Sequence, residues 1–320
     1  MKAGKLSNTV LKRSIFKRIK KRGDFLEEKP GAGSECAILN CENAKEVILS
    51  SASGRWPVYA AANHIAAKGG QLASVQCGIF LGETTEEAEL KLVVSELERQ
   101  CEKLGVPISG GHTQIVPASI KSLIQVTGVG FSSDRSKREK VKAGYELVAV
   151  GDIGVSGIRR IVELKQEEIL QRYSQDVIDR AVGEERELLG IEAAEKAYKE
   201  GAVHVHAISQ GGIYAALWNL SEYAGMGFDV DFRAIPVRQE IIELCEIFDV
   251  NPYELESVGA VLVVVEHGSA IVEEMKQMGL HAAVIGRMVE GNQKIIRNQE
   301  EIRYLDIPQP DELEKFSQEI

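Results

Sequence analysis

Three glycine clusters stand beside polar residues in this chain, and each could bring backbone amides against a ligand. In Val106–Phe131 (VPISGGHTQIVPASIKSLIQVTGVGF), Gly110-Gly111 ends an apolar run and is followed at once by His112-Thr113. Paired glycines carry no Cβ, so the backbone can bend sharply or approach a ligand closely, and a turn is expected here. In His204–Leu217 (HVHAISQGGIYAAL), Gly211-Gly212 opens an apolar helical pattern. Free amides and the helix dipole at such a start favour a phosphate without any carboxylate. Gly154–Gly157 (GVSG) is a second cradle of the same kind. His204 and His206 lie two apart on a predicted strand, so their rings should share a face. His267 and His281 fall near element ends, where surface positions are expected.

The elements that must position these residues come in two groups. CAILN (Cys36–Asn40) and EVILSS (Glu46–Ser51) read as strands, and GRWPVYAAANHIAAKGG as a helix entered near Trp56-Pro57 and stopped by Gly69-Gly70. LASVQCGIFLG is a strand. Thr84-Thr85-Glu86-Glu87 has capping-box spacing and opens a helix with Leu90, Val93, Leu97, Cys101 and Leu104 on one face. VPIS and SLIQVTGVGF supply two more strands. The polar run Ser132–Gly144 lacks apolar periodicity and marks a domain boundary. Beyond it come the strand ELVAVGDIG and helical material from about Ser156 to Glu200. The strand HVHAIS, a helix over IYAALWNLSEYA, a strand over VDFRAIPV and a helix over QEIIELCEIFDV follow. Asn251-Pro252 precedes the apolar strand GAVLVVVE, then a helix (SAIVEEMKQMGL), a strand (HAAVIGRMVE) and an extended end marked by Pro308 and Pro310. Strands and helices mixed in this way predict an α+β fold.

The motifs AANHIAAKGG, GGHT and HVHAISQGG, in this order over roughly residues 30–310, resemble the aminoimidazole-ribotide (AIR) synthase-like superfamily. That group includes a hydrogenase-maturation dehydratase, selenophosphate synthetase, thiamine-monophosphate kinase and purine-pathway synthases. The segments IPVRQEIIELCEIFDVNPYELESVGAVLVVV (Ile235–Val265) and HAAVIGRMVEG (His281–Gly291), with Gly4–Leu6, are most similar to archaeal-type hydrogenase-maturation relatives. The resemblance implies a two-domain AIR-synthase-like fold. Its N-terminal sheet pairs across a homodimer, and Mg-ATP lies between the domains on carboxylates from strand ends. The domains implied are an N-terminal basic segment (1–30), a first domain (31–135), a second (144–310) and a tail (311–320).

Against the family pattern the acids are mostly missing. Gly-x-Gly-Asp-Asp-Ala-Ala is here Gly31-Ala32-Gly33-Ser34-Glu35-Cys36-Ala37, and Asn-Asp-Ile-Ala-Ala is Asn63-His64-Ile65-Ala66-Ala67. Gly-Gly-Asp-Thr is Gly110-Gly111-His112-Thr113, and His-Asp-x-x-x-Gly-Gly is His206-Ala207-Ile208-Ser209-Gln210-Gly211-Gly212. Of five acidic slots only Glu35 stays acidic. Mg²⁺ wants oxygen ligands, and each lost charge-assisted ligand costs a few kcal/mol, so family-type ATP hydrolysis is not expected to survive unaided. The resemblance places Glu35, Asn63, Gly110, Gly111, Thr113, Gly211 and Gly212 as ligand-binding positions. His64, His112, Cys36 and His206 stand in or beside the acidic slots, and imidazole and thiolate donors suit a transition metal rather than Mg²⁺. Two readings stay open: an ATP- or phosphate-ligand-binding enzyme with altered metal chemistry, and a non-catalytic binding or assembly protein. The last residues, EKFSQEI, carry no cysteine for the maturation dehydratase's thiol chemistry.

Composition sets outer bounds. The 320 residues are 44% hydrophobic and 27% charged, with a net charge of −10. That excess of acid argues against general nucleic-acid binding, which needs a basic footprint. No apolar run reaches the ~18 residues of a membrane span, and the start (MKAGKLSNTVLKRS) lacks a secretory core, so a cytoplasmic protein is expected. Residues 11–22 (LKRSIFKRIKKR) read as a basic amphipathic helix, docked by its apolar stripe or meeting an anion. The five dispersed cysteines do not suggest a disulfide framework, and Cys101 and Cys245 fall on helical core positions.

Overall fold

The computed structural model describes residues 36–40 and Glu87 by backbone alone, and 46–82, 84–116, 122–132 and 139–316 in full. The basic helix expected over 11–22 and Glu35 lie outside these residues. Chain contacts divide the protein into two units, whose described parts are 36–132 and 139–316.

The first unit runs β1 (Cys36–Asn40), β2 (Glu46–Ser53), α1 (Pro57–Ala66), β3 (Gln71–Gly82), α2 (Glu87–Leu104), β4 (Ile108–Val116) and β5 (Ser122–Ser132). Its five-stranded sheet has the order β1-β2-β5-β3-β4, with β3 and β4 parallel and the other neighbours antiparallel. A parallel pair cannot be joined by a hairpin, and α2 supplies the crossover. One sheet face packs under the helices, where Val75, Cys77, Ile79, Leu81 and Val126 meet Val58, Ala61, Leu97 and Cys101. All ten residues of α1 are buried, and Pro57 at its first turn starts it in pre-set helical φ. The helix lies close because β5 carries Gly128 and Gly130 beneath it. A Cβ at Gly130 would stand 2.5 Å from Ile65 Cγ2.

Two local expectations change. The capping box is shifted: Glu86 is the N-cap of α2, and its amide donates to Glu89 Oε2 at 3.1 Å, while Thr85 closes a turn back to Gly82. Gly110-Gly111 forms no turn but sits inside β4, opposite Gln76 and Cys77 of β3. A Cβ on Gly111 would stand 2.0 Å from the Cys77 carbonyl oxygen, so strand approach alone demands glycine.

The second unit runs β6 (Glu146–Val150), α3 (Val155–Leu170), α4 (Gln175–Val182), α5 (Ile191–Lys199), β7 (His204–Ala207) and α6 (Gly212–Ala224). It continues with β8 (Gly227–Asp231), α7 (Gln239–Ile247), β9 (Val261–Val265), α8 (Ser269–Gln277), β10 (Ala282–Val289), β11 (Lys294–Asn298) and β12 (Glu301–Tyr304). The seven-stranded sheet has the order β12-β11-β8-β10-β6-β9-β7. Every residue of β9 is buried, as its unbroken apolar run requires of a strand covered on both faces. The strand expected over VDFRAIPV falls earlier. Asp231 ends β8 by accepting the Arg233 amide at 3.0 Å, and this turns Phe232–Ala234 into a 3₁₀ turn.

Candidate functional site

In the first unit, α1 carries Asn63 and His64 and turns His64 towards the sheet. Both are buried, and His64 Nδ1 lies 2.9 Å from Ser50 Oγ on β2. His112 belongs to the opposite face. It pairs with Gly78, between the helix-facing Cys77 and Ile79, and its ring meets Phe80 at 5.9 Å and Gln114 Oε1 at 3.1 Å. Sheet pleat therefore separates the two imidazoles. Thr113 shares the face of Ile79 and is exposed at the sheet edge. Cys36 is placed by backbone alone, opposite Ser50. Among the described residues no group of three or more His, Cys, Asp or Glu side chains could hold a metal ion. The described acidic slots hold His64, His112 and Ala207, so this donor set does not fit an oxygen-seeking Mg²⁺.

In the second unit, the rings of His204 and His206 share one face of β7 at 6.4 Å, and Tyr223 stacks on His204 at 4.6 Å. Both histidines are buried in the protein interior. The exposed His267 and His281 lie where expected, with His281 Nδ1 2.9 Å from Asp152 Oδ1. Arg238 holds the other oxygen of Asp152 at 2.9 Å and also pairs with Glu187.

Each of the two glycine turns opens its helix from a left-handed residue (Gly154 φ +84, Gly211 φ +77). Both are filled from within the chain. The Gly154 amide donates to Ser257 Oγ at 2.8 Å, and the Gly157 amide to the Glu256 carbonyl at 2.9 Å. The Gly211 amide donates to Asp311 Oδ2 at 2.6 Å. Leu313 gives its amide to Asp311 Oδ1 at 2.9 Å, and the Glu256 amide is a third donor to this carboxylate. Burial nevertheless pushes Asp311 up to about 6. Glu256 is pushed up to about 8, first by burial and then by the Asp311 charge, and its Oε2 has no hydrogen-bond partner. Burial and mutual repulsion thus favour keeping a proton on this pair. Asp311 and Glu256 escape sequence reasoning because the contact closes over 100 residues and neither acid belongs to a periodic pattern. Pro308-Gln309-Pro310-Asp311 is a local signal that regular structure breaks here.

Cys77, Cys101 and Cys245 are not activated nucleophiles. Burial raises Cys77, and pushes Cys101 and Cys245 up to about 12, so these thiols stay protonated.

The N-terminal domain of AIR synthase related protein matches residues 35–132, and the C-terminal domain matches residues 142–298. Carbamoyl dehydratase HypE of Rhodobacter capsulatus is 26% identical over 245 residues, covering 74% of this chain and 69% of that protein. The putative hydrogenase expression/formation protein of Methanocaldococcus jannaschii is 22% identical over 255 residues, covering 76% and 72%. Among solved structures, the hydrogenase maturation protein HypE in complex with ATP superposes with a TM-score of 0.67 at 18% identity, over 97% of this chain and 96% of that one. Both halves of the chain and its α+β architecture agree, and it belongs to the AIR synthase-related family, with sequence similarity to the hydrogenase-maturation proteins.

Proposed function

We propose that this chain is a hydrogenase-maturation-like member of its family that acts by binding and assembly, not by Mg-ATP chemistry. One observation carries the reading. The described acidic slots are occupied by a buried His64 hydrogen-bonded to Ser50, an exposed His112 on the other sheet face and a buried Ala207. No carboxylate there can offset the repulsion of a metal-bound triphosphate. A homodimer belongs to this reading. The sheet face turned away from α1 and α2 bears Phe80, Leu123, Val129 and Phe131, and Leu123 and Phe131 are 52% and 47% exposed. A second copy that covers these side chains would remove an apolar face from water.

The second reading, ATP or another phosphorylated ligand held chiefly through main-chain amides, is favoured by the ATP-bound structure of a protein sharing this fold. Calorimetric titration of metal-stripped protein with ATP, Mg²⁺ present throughout, separates the two. Absence of binding supports the assembly protein. Micromolar binding with phosphate release overturns it in favour of an enzyme.

A further inference from the structure

The segment 306–316 lies beyond residue 298, where the match to the family's C-terminal domain stops, yet it is tied firmly to the second unit. Phe316 is buried and meets Phe248 edge-on at 5.7 Å. The Asn251 amide donates to Glu312 Oε2 at 3.0 Å, and Lys315 pairs with Glu312 at 2.6 Å while reaching the Asp249 carbonyl. In the centre of these contacts, Asp311 takes the place of an external anion at the start of α6. Next to it lies a fully buried carboxyl, Glu256, with one oxygen unpartnered. A buried carboxylate with no counter-charge is costly, and a second one nearby makes it costlier.

We propose that residues 306–316 form a proton-linked latch, docked on the start of α6 only while the buried Asp311–Glu256 pair keeps a proton. The latch goes beyond the assembly reading and does not depend on it. Its surroundings hold few compensating charges. Arg160 on α3 is the cation acting on Glu256, and Ser156 is its hydrogen-bond partner. Glu314 acts on Asp311 from the segment itself. Glu312 is matched by Lys315, and the loop adds Glu254, itself raised by burial. Tyr214 on α6 and Tyr253 on the loop are raised by burial and stay neutral up to high pH.

The direction follows from the raised acids. A carboxyl that holds its proton more tightly when docked stabilises the docked state below its undocked pKa. It loses that contribution as pH rises to the docked value, and the loss then levels off. Asp311 therefore loosens the latch up to about pH 6. Glu256 extends the loosening up to about pH 8.

Hydrogen exchange on the full chain between pH 5 and 9, corrected for intrinsic rates, tests this in peptides spanning Gly211 and Leu313. In the unmodified protein, opening should rise by up to about a hundredfold per pH unit below pH 6, where both acids contribute, then by up to about tenfold per unit, and level off near pH 8. Glu256→Gln, which imitates the protonated acid, should level off near pH 6. Opening independent of pH, or a Glu256→Gln profile still rising to pH 8, overturns the latch. Amides of β9 report global unfolding, and the same pH profile there also overturns it. If Glu256→Gln does not fold, Asp311→Asn serves instead. The rise below pH 6 must then drop to at most about tenfold per unit, and persistence of the steeper two-acid slope overturns the proposal.

Discussion

Replacing Gly212 by alanine asks whether the Gly-Gly turn is shaped by a ligand or by the chain around it. Gly212 has φ +60, and a Cβ there would stand 2.4 Å from the Tyr253 carbonyl oxygen and 2.8 Å from that of Leu255. A left-handed conformation costs an L-residue about 1–2 kcal/mol. Forcing an extra methyl against two backbone carbonyls adds about 1–3 kcal/mol, because the loop has to move. The control is Gly201→Ala, where φ is +89 and nothing lies within 4 Å of the added Cβ. Only the conformational cost of about 1–2 kcal/mol applies to it. Urea unfolding followed through Trp218 on α6, in a background where Trp56→Phe silences the first unit, reads both variants. Gly212→Ala should be less stable than Gly201→Ala by about 1–3 kcal/mol, a midpoint difference of roughly 1 M in urea at ordinary m-values. Equal midpoints would mean that the loop does not press on the turn, and the internal filling of the cradle would lose its basis.

Three further outcomes are expected. His64→Ala and His112→Ala should leave Zn²⁺ affinity unchanged in calorimetry, singly and together, because the two rings lie on opposite faces of one sheet; a loss in both variants would place them on one ion. Cys77, Cys101 and Cys245 should resist iodoacetamide at pH 8 in the folded protein and react in denaturant, as read by peptide mass spectrometry. Their raised pKa values leave almost no thiolate at that pH. In the proposed homodimer, Phe131→Arg should shift sedimentation from dimer to monomer without loss of helical circular dichroism, since Phe131 is 47% exposed on the sheet face turned away from α1 and α2; an unchanged dimer places the interface elsewhere, and a monomeric unmodified protein refutes the dimer.

The elements with strong local signals are legible in the sequence. Pro57 followed by small apolar residues announces α1, and the run from Val261 to Val265 announces a strand buried on both faces. The apolar spacing of Leu90, Leu97 and Cys101 announces α2, although Glu86 with Glu89 caps it in place of Thr84. What stays hidden is long-range. A glycine doublet reads the same in a hairpin as at Gly110-Gly111, where it lets β4 pass the Cys77 carbonyl. Nothing near His64 shows that its Nδ1 meets Ser50, and nothing near Gly211 shows that its amide meets Asp311.

The anion cradle shows how local physics can be right while the occupant goes unread. Gly211 does open α6 in the left-handed form, and its amide does bind a carboxylate. A tethered partner acts at an effective concentration on the order of millimolar. Burial of Phe316 and the bonds of Asn251 and Lys315 add to its hold. A free phosphate must therefore outcompete a carboxylate that is always present, whereas a proton need only be removed from the Asp311–Glu256 pair. Of the two ways to clear the start of α6, loss of that proton is the one for which the chain supplies its own machinery.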